Sequence, residues 1–212
     1  MELTKVSLVK FADQRANIRR AIEMCDGFKE LTPEKKVLLK PNLVMWDEAL
    51  PYPKFGVITT AVVVEEMVKL LKEHGGSDTT IAEATTEDKD INSGTMAAYR
   101  GMGYPYLEKK YGVKLCDLNR GPYEKIEFDG FSLSIAAPVL EADFIINLPV
   151  LKTHNSTKVT LGFKNLKGCL ARRSKVFCHH PEIPLDRFIQ RIGEKLAPAL
   201  TLIDGIYALD RG

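Results

Sequence analysis

Hydrophobic and polar residues alternate along this chain in two periods, and the two interleave from end to end. Residues 6–11 alternate with a period of two and predict a strand; 16–24 carry a helical spacing. The run at 36–40 (KVLLK) is short, apolar and stopped by Pro41, as expected of a buried strand, and a long loop with prolines and aromatics fills 41–58. Residues 59–74 are a helix, with Val62, Val63, Met67, Leu70 and Leu71 on one face and Gly75-Gly76 as the stop. A strand at 79–82 runs into the polar loop TTEDKDINSG, and 96–111 predicts one or two short helices broken near Gly101, Gly103 and Pro105. A strand at 113–118 precedes a hairpin, 126–128 and 131–135, turned by Asp129-Gly130. The apolar run 144–148 is the central strand, followed by a loop, a helix near 158–167, a helix over 185–196 and a last strand at 200–203. Strand and helix alternate throughout, which predicts a mainly parallel, helix-flanked sheet of the doubly wound type with one antiparallel hairpin.

In such sheets the ligand crevice lies beyond the carboxyl ends of the strands. Lys40 and Asn42 follow one strand end, Glu83 a second, Lys152, Thr153 and His154 a third, and Asp204 the last. The helix at 158–167 would bring Thr160, Lys164 and Lys167 onto one face, with Asn165 between the two lysines. Each has a plainer reading: Lys40 can extend to solvent, His154 can cap the next helix, a basic helix face is usually solvated, and Asp204 can be a helix cap.

Charge sharpens the choice. The chain has 212 residues, 30 Lys+Arg and 28 Asp+Glu, so its net charge of +2 does not mark a general polyanion binder. Yet 152–175 holds seven Lys/Arg and no Asp or Glu, so a small anionic ligand bearing carboxylate or phosphate is the natural counterpart. Lys40, Lys152, Lys164 and Lys167 would hold it, Asn42, Thr153 and Asn165 would orient it, and His154 would act as general acid or base. Asp204 would orient His154 or hold a divalent metal ion. Nucleic-acid binding through 158–175 is disfavoured, because only Phe163 and Phe177 are available for base stacking.

Length and hydrophobic content suit one α/β domain over 1–212. Cys25, Cys116, Cys169 and Cys178 fit no disulfide framework or standard zinc spacing, so a reduced, cytoplasmic setting is expected, with Cys169 a packing residue. His179 or His180 is within reach of the basic segment, and Trp46, Tyr52 and Phe55 are candidates for a lid. No apolar run is long enough to span a bilayer. The motifs GxxxxGK[ST], GxGxxG and GxSxG are missing, so P-loop, dinucleotide-binding and serine-hydrolase readings are disfavoured.

Lys-Pro-Asn at 40–42, Asn147-Leu148-Pro149 with Lys152-Thr153-His154, Lys164-Asn165-Leu166-Lys167-Gly168 and Asp204-Gly205 together resemble a family known as domain of unknown function 362. The resemblance covers nearly the whole chain. It implies an α/β fold and a site on these motifs, and it names no reaction. Many members of that family are iron–sulfur or ferredoxin-like proteins, which raises a ferredoxin-like redox partner as an alternative. The chain has no CxxCxxC run, so the resemblance does not extend to an iron–sulfur cluster in it. Relatives also typically continue beyond the final Asp210-Arg211-Gly212, so part of the native protein is expected to lie outside this sequence.

Overall fold

The computed structural model of the chain describes residues 4–10, 12–46, 54–86 and 94–210. The first helix, α1 (Gln14–Met24), is capped by Asp13, whose carboxylate accepts from the backbone N–H of Arg15 and Ala16. Then follow β1 (Val37–Pro41), α2 (Ala61–Glu73), β2 (Thr79–Glu83), α3 (Thr95–Gly101), α4 (Tyr104–Tyr111), β3 (Lys114–Asp117), β4 (Tyr123–Phe128) and β5 (Phe131–Ala136). The second half comprises α5 (Ala137–Leu140), β6 (Phe144–Leu148), β7 (Val150–His154), β8 (Lys158–Thr160), α6 (Gly162–Leu166), α7 (Arg172–Phe177), α8 (Leu185–Leu196), β9 (Leu200–Thr201) and β10 (Asp204–Leu209).

The central sheet has the order β3-β2-β1-β6-β9, and every pairing in it is parallel. All five residues of β1 and of β6 are buried, because helices or the β4–β5 hairpin cover both faces. Alternation sorts their side chains. Val37, Leu39, Phe144, Ile146 and Leu148 join a core with α1, α2, α3 and α4, whereas Leu38 and Ile145 join a second core with β5, α6 and α8. The strand order reverses between β1 and β6, the position at which an open α/β sheet leaves a crevice. The register sets Lys40 opposite Asn147 across that junction.

The hairpin, the central strands and the helix over 185–196 match the sequence expectations, and 96–111 resolves into two helices. Three expectations change. Residues 6–10 form no strand: Val6 and Leu8 are 89% and 95% exposed, with no strand among the described residues to pair with them; Phe11 lies outside the described residues. The helix expected near 158–167 begins only at Gly162, because 158–160 pairs antiparallel with β7, with Lys158 at φ 62° in the connecting turn. Finally, Asp204 does not end a strand of the central sheet. It opens β10, which pairs with β7 in a second sheet of order β10-β7-β8.

Candidate functional site

Two layers of polar residues meet beyond the ends of β1, β2 and β6. The inner layer is closed. Lys40 is 0% exposed, and its ammonium pairs with Glu83 Oε1 at 2.6 Å, donates to Pro41 O at 2.8 Å and lies 3.5 Å from Asn165 Oδ1. Glu83 also accepts from the backbone N–H of Leu43 at 2.9 Å and of Ala84 at 2.8 Å. Gly168, at the end of the Lys-Asn-Leu-Lys-Gly motif, covers this pair; a Cβ there would sit 2.8 Å from Glu83 Oε1 and 2.9 Å from Lys40 Nζ. Only glycine lets the backbone come this close.

Three asparagines link the inner layer to the outer one. Asn147 donates to Gly162 O at 2.8 Å and accepts from Asn165 Nδ2 at 2.8 Å. Asn165 Oδ1 accepts from Asn42 Nδ2 at 2.8 Å, and Asn42 Oδ1 accepts from Lys152 Nζ at 2.9 Å. The donor sense runs one way along the chain, which fixes the orientation of all three amides. Lys152 Nζ donates again to Val57 O at 2.6 Å. An ammonium has three donors, so among the described residues one is left without a partner beside the space above.

That space is a cavity of about 630 Å³, lined by Asn42, Asn165, Lys152, Lys164, Lys167, Arg172 and Lys175 among others. Register explains its floor: Lys152 stands opposite Thr160, and both side chains turn to the cavity side while Leu151 and Val159 face outward. Among the described residues Glu83 is the one carboxylate in the lining, and it is already paired with Lys40. None of the five cations of the wall forms an ion pair with a carboxylate among the described residues. Burial, then Lys164, pushes the Lys152 ammonium down to about 8, against the opposing pull of Glu83. Burial lowers Lys164, Lys167 and Lys175 as well. These are partly buried positive charges without a carboxylate partner among the described residues.

His154 stands at the cavity wall, and its Nδ1 accepts from Ser156 N at 3.1 Å. That bond assigns the proton of the neutral ring to Nε2. Burial, then the charges of Lys164, Lys152 and Lys167, lowers its pKa, so the neutral form prevails at pH 7. His179 also lines the cavity, 2.7 Å from Lys167 Nζ, and the charge of Lys167 lowers its pKa.

The sequence-derived set therefore divides. Asn42, Lys152, His154, Lys164, Asn165 and Lys167 converge on the cavity. Lys40 lies beneath it, sealed by Gly168. Asp204 is elsewhere: Oδ2 accepts from Thr60 N at 2.8 Å and Thr60 Oγ1 at 2.9 Å, and Oδ1 accepts from Ile206 N at 3.1 Å. Thr60 precedes α2 as its N-cap residue, so Asp204 anchors the start of that helix from another strand, and its described partners do not include His154. Thr153 points to the opposite side of β7 from Lys152, with its hydroxyl 3.5 Å from Leu209 O. Cys169 is buried in the second core, which raises its thiol to about 11. Trp46 is buried against Gly101 and is core rather than lid; Phe55 is exposed beside Tyr207, and Tyr52 lies outside the described residues.

Arg172 and Lys175 were absent from that set. Arg172, Lys175, Val176 and His179 are spaced i, i+3, i+4 and i+7 in the sequence, a faint signal because the helix itself has only six residues, and all four line the cavity. Among the described residues no group of three or more His, Cys, Asp or Glu could hold a metal ion, and no helix is long and apolar enough to cross a membrane.

Comparisons with known proteins agree with the architecture. The solved structure of the lactate racemase apoprotein from Thermoanaerobacterium thermosaccharolyticum superposes with a TM-score of 0.55, over 92% of this chain and 49% of that one, at 16% identity. This likeness concerns the fold. A thylakoid-associated protein of Synechocystis sp. (strain ATCC 27184 / PCC 6803 / Kazusa), sll1697, is 29% identical over 202 residues, 91% of this chain. The chain spans 59% of that relative's length. Residues 37–212, which contain β1, the asparagine chain and every cationic wall residue, match the model of the family described as Domain of unknown function (DUF362), and the chain belongs to that family.

Proposed function

We propose that the cavity binds a small anionic metabolite bearing carboxylate or phosphate and that the protein acts on it. One observation carries this reading: five cationic side chains line a cavity of about 630 Å³, and none has a carboxylate partner among the described residues. The volume lies within the range of small-molecule sites, about 300–1,000 Å³. A bound anion supplies the missing counterion, and burial strengthens each contact by lowering the local dielectric.

The residues take distinct parts in this reading. Lys152 and Lys164 hold the anion, with Lys167, Arg172 and Lys175 extending the positive wall. Asn42 and Asn165 position Lys152 rather than touching the ligand, since their amides already bond one another. His154, neutral at pH 7, offers Nε2–H to the ligand as a hydrogen-bond donor. Lys40, Thr153 and Asp204 are structural. The name of the solved neighbour, a lactate racemase, is that of an enzyme acting on a small carboxylate, which accords with the ligand class. A divalent ion fits best as a companion of the bound anion, because the described wall offers cations and amides. A reduced, cytoplasmic setting remains part of the proposal and accords with the four free cysteines.

Nucleic-acid binding is less favoured, since Lys152, Lys164, Lys167 and Lys175 are half-buried or buried in a concave wall. A thermal-shift screen of carboxylates and phosphates at fixed ionic strength tests the proposal, because a ligand of the native state raises its melting temperature. At least one small anion should give saturable stabilisation that Lys152→Ala or Lys164→Ala removes. A flat screen on folded protein, or stabilisation indifferent to both substitutions, refutes it.

A further inference from the structure

The cations of the cavity wall are supplied from two sides, with Lys164 and Lys167 as electrostatic neighbours between them. Lys152 rises from β7 and is tied to Asn42, just beyond β1; Lys164 and His154 accompany it, and Lys164 is the cation that depresses Lys152 most. Lys175 comes from α7 and donates to Ala84 O at 3.2 Å, just beyond β2. Arg172 shares its helix face, His179 lines the cavity just past the end of that helix, and Lys167 bridges to His179. The two groups are thus anchored over neighbouring strands of the central sheet, which lie about 4.8 Å apart.

Charge makes the division consequential. A ligand with one carboxylate would meet five positive groups and leave most of them facing like charges in a partly buried space. Helix α7 adds to this, with no acidic residue in its first turn and Arg172, Arg173 and Lys175 in six residues. We infer that the ligand carries two anionic groups, one held by Lys152 and Lys164 with His154 Nε2–H, the other by Arg172 and Lys175 with Lys167. Resting on the anion-site reading, this narrows the class to diphosphates, bisphosphates and phosphorylated or dicarboxylic acids.

Methylphosphonate and methylenediphosphonate test it, as one and two phosphonates of the same chemistry, each titrated calorimetrically into the full chain at one ionic strength. Methylenediphosphonate should bind at least about tenfold more tightly, the equivalent of one further charge-assisted contact. Arg172→Ala with Lys175→Ala should reduce that preference to under about threefold, chiefly by weakening methylenediphosphonate. Arg172→Ala alone, at an exposed position, should move the preference in the same direction by less. Equal affinity for the two probes overturns the two-group inference and leaves the anion site standing, as does a preference unchanged by both variants. Failure of both probes to bind the folded protein, with the carboxylate and phosphate screen also flat, sinks the anion site itself and this inference with it.

Discussion

Lys40, near the end of β1, and Lys152, in the middle of β7, are both buried lysines, linked through Asn42, and they are opposites. Lys40 has its counterion in Glu83 and a carbonyl at Pro41, and Gly168 closes over it. Lys152 bonds an amide and a carbonyl, both neutral, with Lys164 as its charged neighbour, and faces the cavity. Burial of a charge therefore does not mark a binding site. What distinguishes the two is whether the opposite charge lies inside the protein. The inner layer holds the β1–β2 strand ends together, and the outer layer has no paired carboxylate among the described residues, a counterion that a ligand can bring.

The sharpest way to break the comparison is to remove Lys40. Lys40→Met leaves Glu83 buried without its cation and should destabilise the fold by about 3–5 kcal/mol in denaturant unfolding. Lys40→Met with Glu83→Gln should recover part of that loss. A loss below about 1 kcal/mol in the single variant would mean the pair is not structural. Lys152→Met should do the reverse. Unliganded stability should hold or rise, because a lysine depressed by burial and like charge is removed, while the stabilisation given by saturating anion (about 2.7 kcal/mol at a hundredfold excess over Kd) should vanish.

Gly168→Ala comes next. The new Cβ would crowd Glu83 Oε1 and Lys40 Nζ at 2.8 and 2.9 Å, so unfolding should become easier by about 1–3 kcal/mol. Asp204→Asn should cost about 1 kcal/mol through a weakened cap on Thr60. It should leave the His154 ring titration in place by NMR; movement of that titration would put Asp204 back at the site.

The smallest effect is a pH dependence. Lys152 has its folded pKa lowered to about 8 from the ordinary 10.5. The folded state therefore releases this proton first, and its penalty on stability is full below pH 8 and relieved as pH rises from 8 towards 10.5. Anion affinity should run the opposite way, declining above about pH 8 as the ammonium is lost, with a bound anion moving that decline upward. An affinity flat from pH 7 to pH 10 would remove Lys152 from the anion's contacts.

Much of this was legible beforehand, and the failures have physical causes. Strand runs such as Phe144-Ile145-Ile146 announce a buried parallel sheet, and the motif residues after them locate the crevice. Position at a strand end, however, says nothing about direction. Lys40 follows Leu39 in strict alternation and so turns to the face of Leu38 and α6, beneath Gly168. Asp204 follows an apolar run like the other strand-end residues, but β9 stops at Thr201 within that run and Asp204 starts a strand in another sheet. Val150 to Thr160 reads as loop and helix because the β7–β8 pair is short and Lys158 takes a left-handed turn that local propensity does not foretell. Arg172 and Lys175 were hidden because α7 has six residues, too few for its periodicity to stand out.

The central claim is that the outer layer of cations is an anion site. Calorimetric titration of inorganic pyrophosphate into wild type and into Lys152→Met with Lys164→Met, at one ionic strength, tests it most directly. Saturable binding in the wild type, weakened at least about tenfold in the variant while its unliganded melting temperature is retained, is the predicted result. No saturable binding to folded wild type, or the same affinity in both proteins, would contradict it.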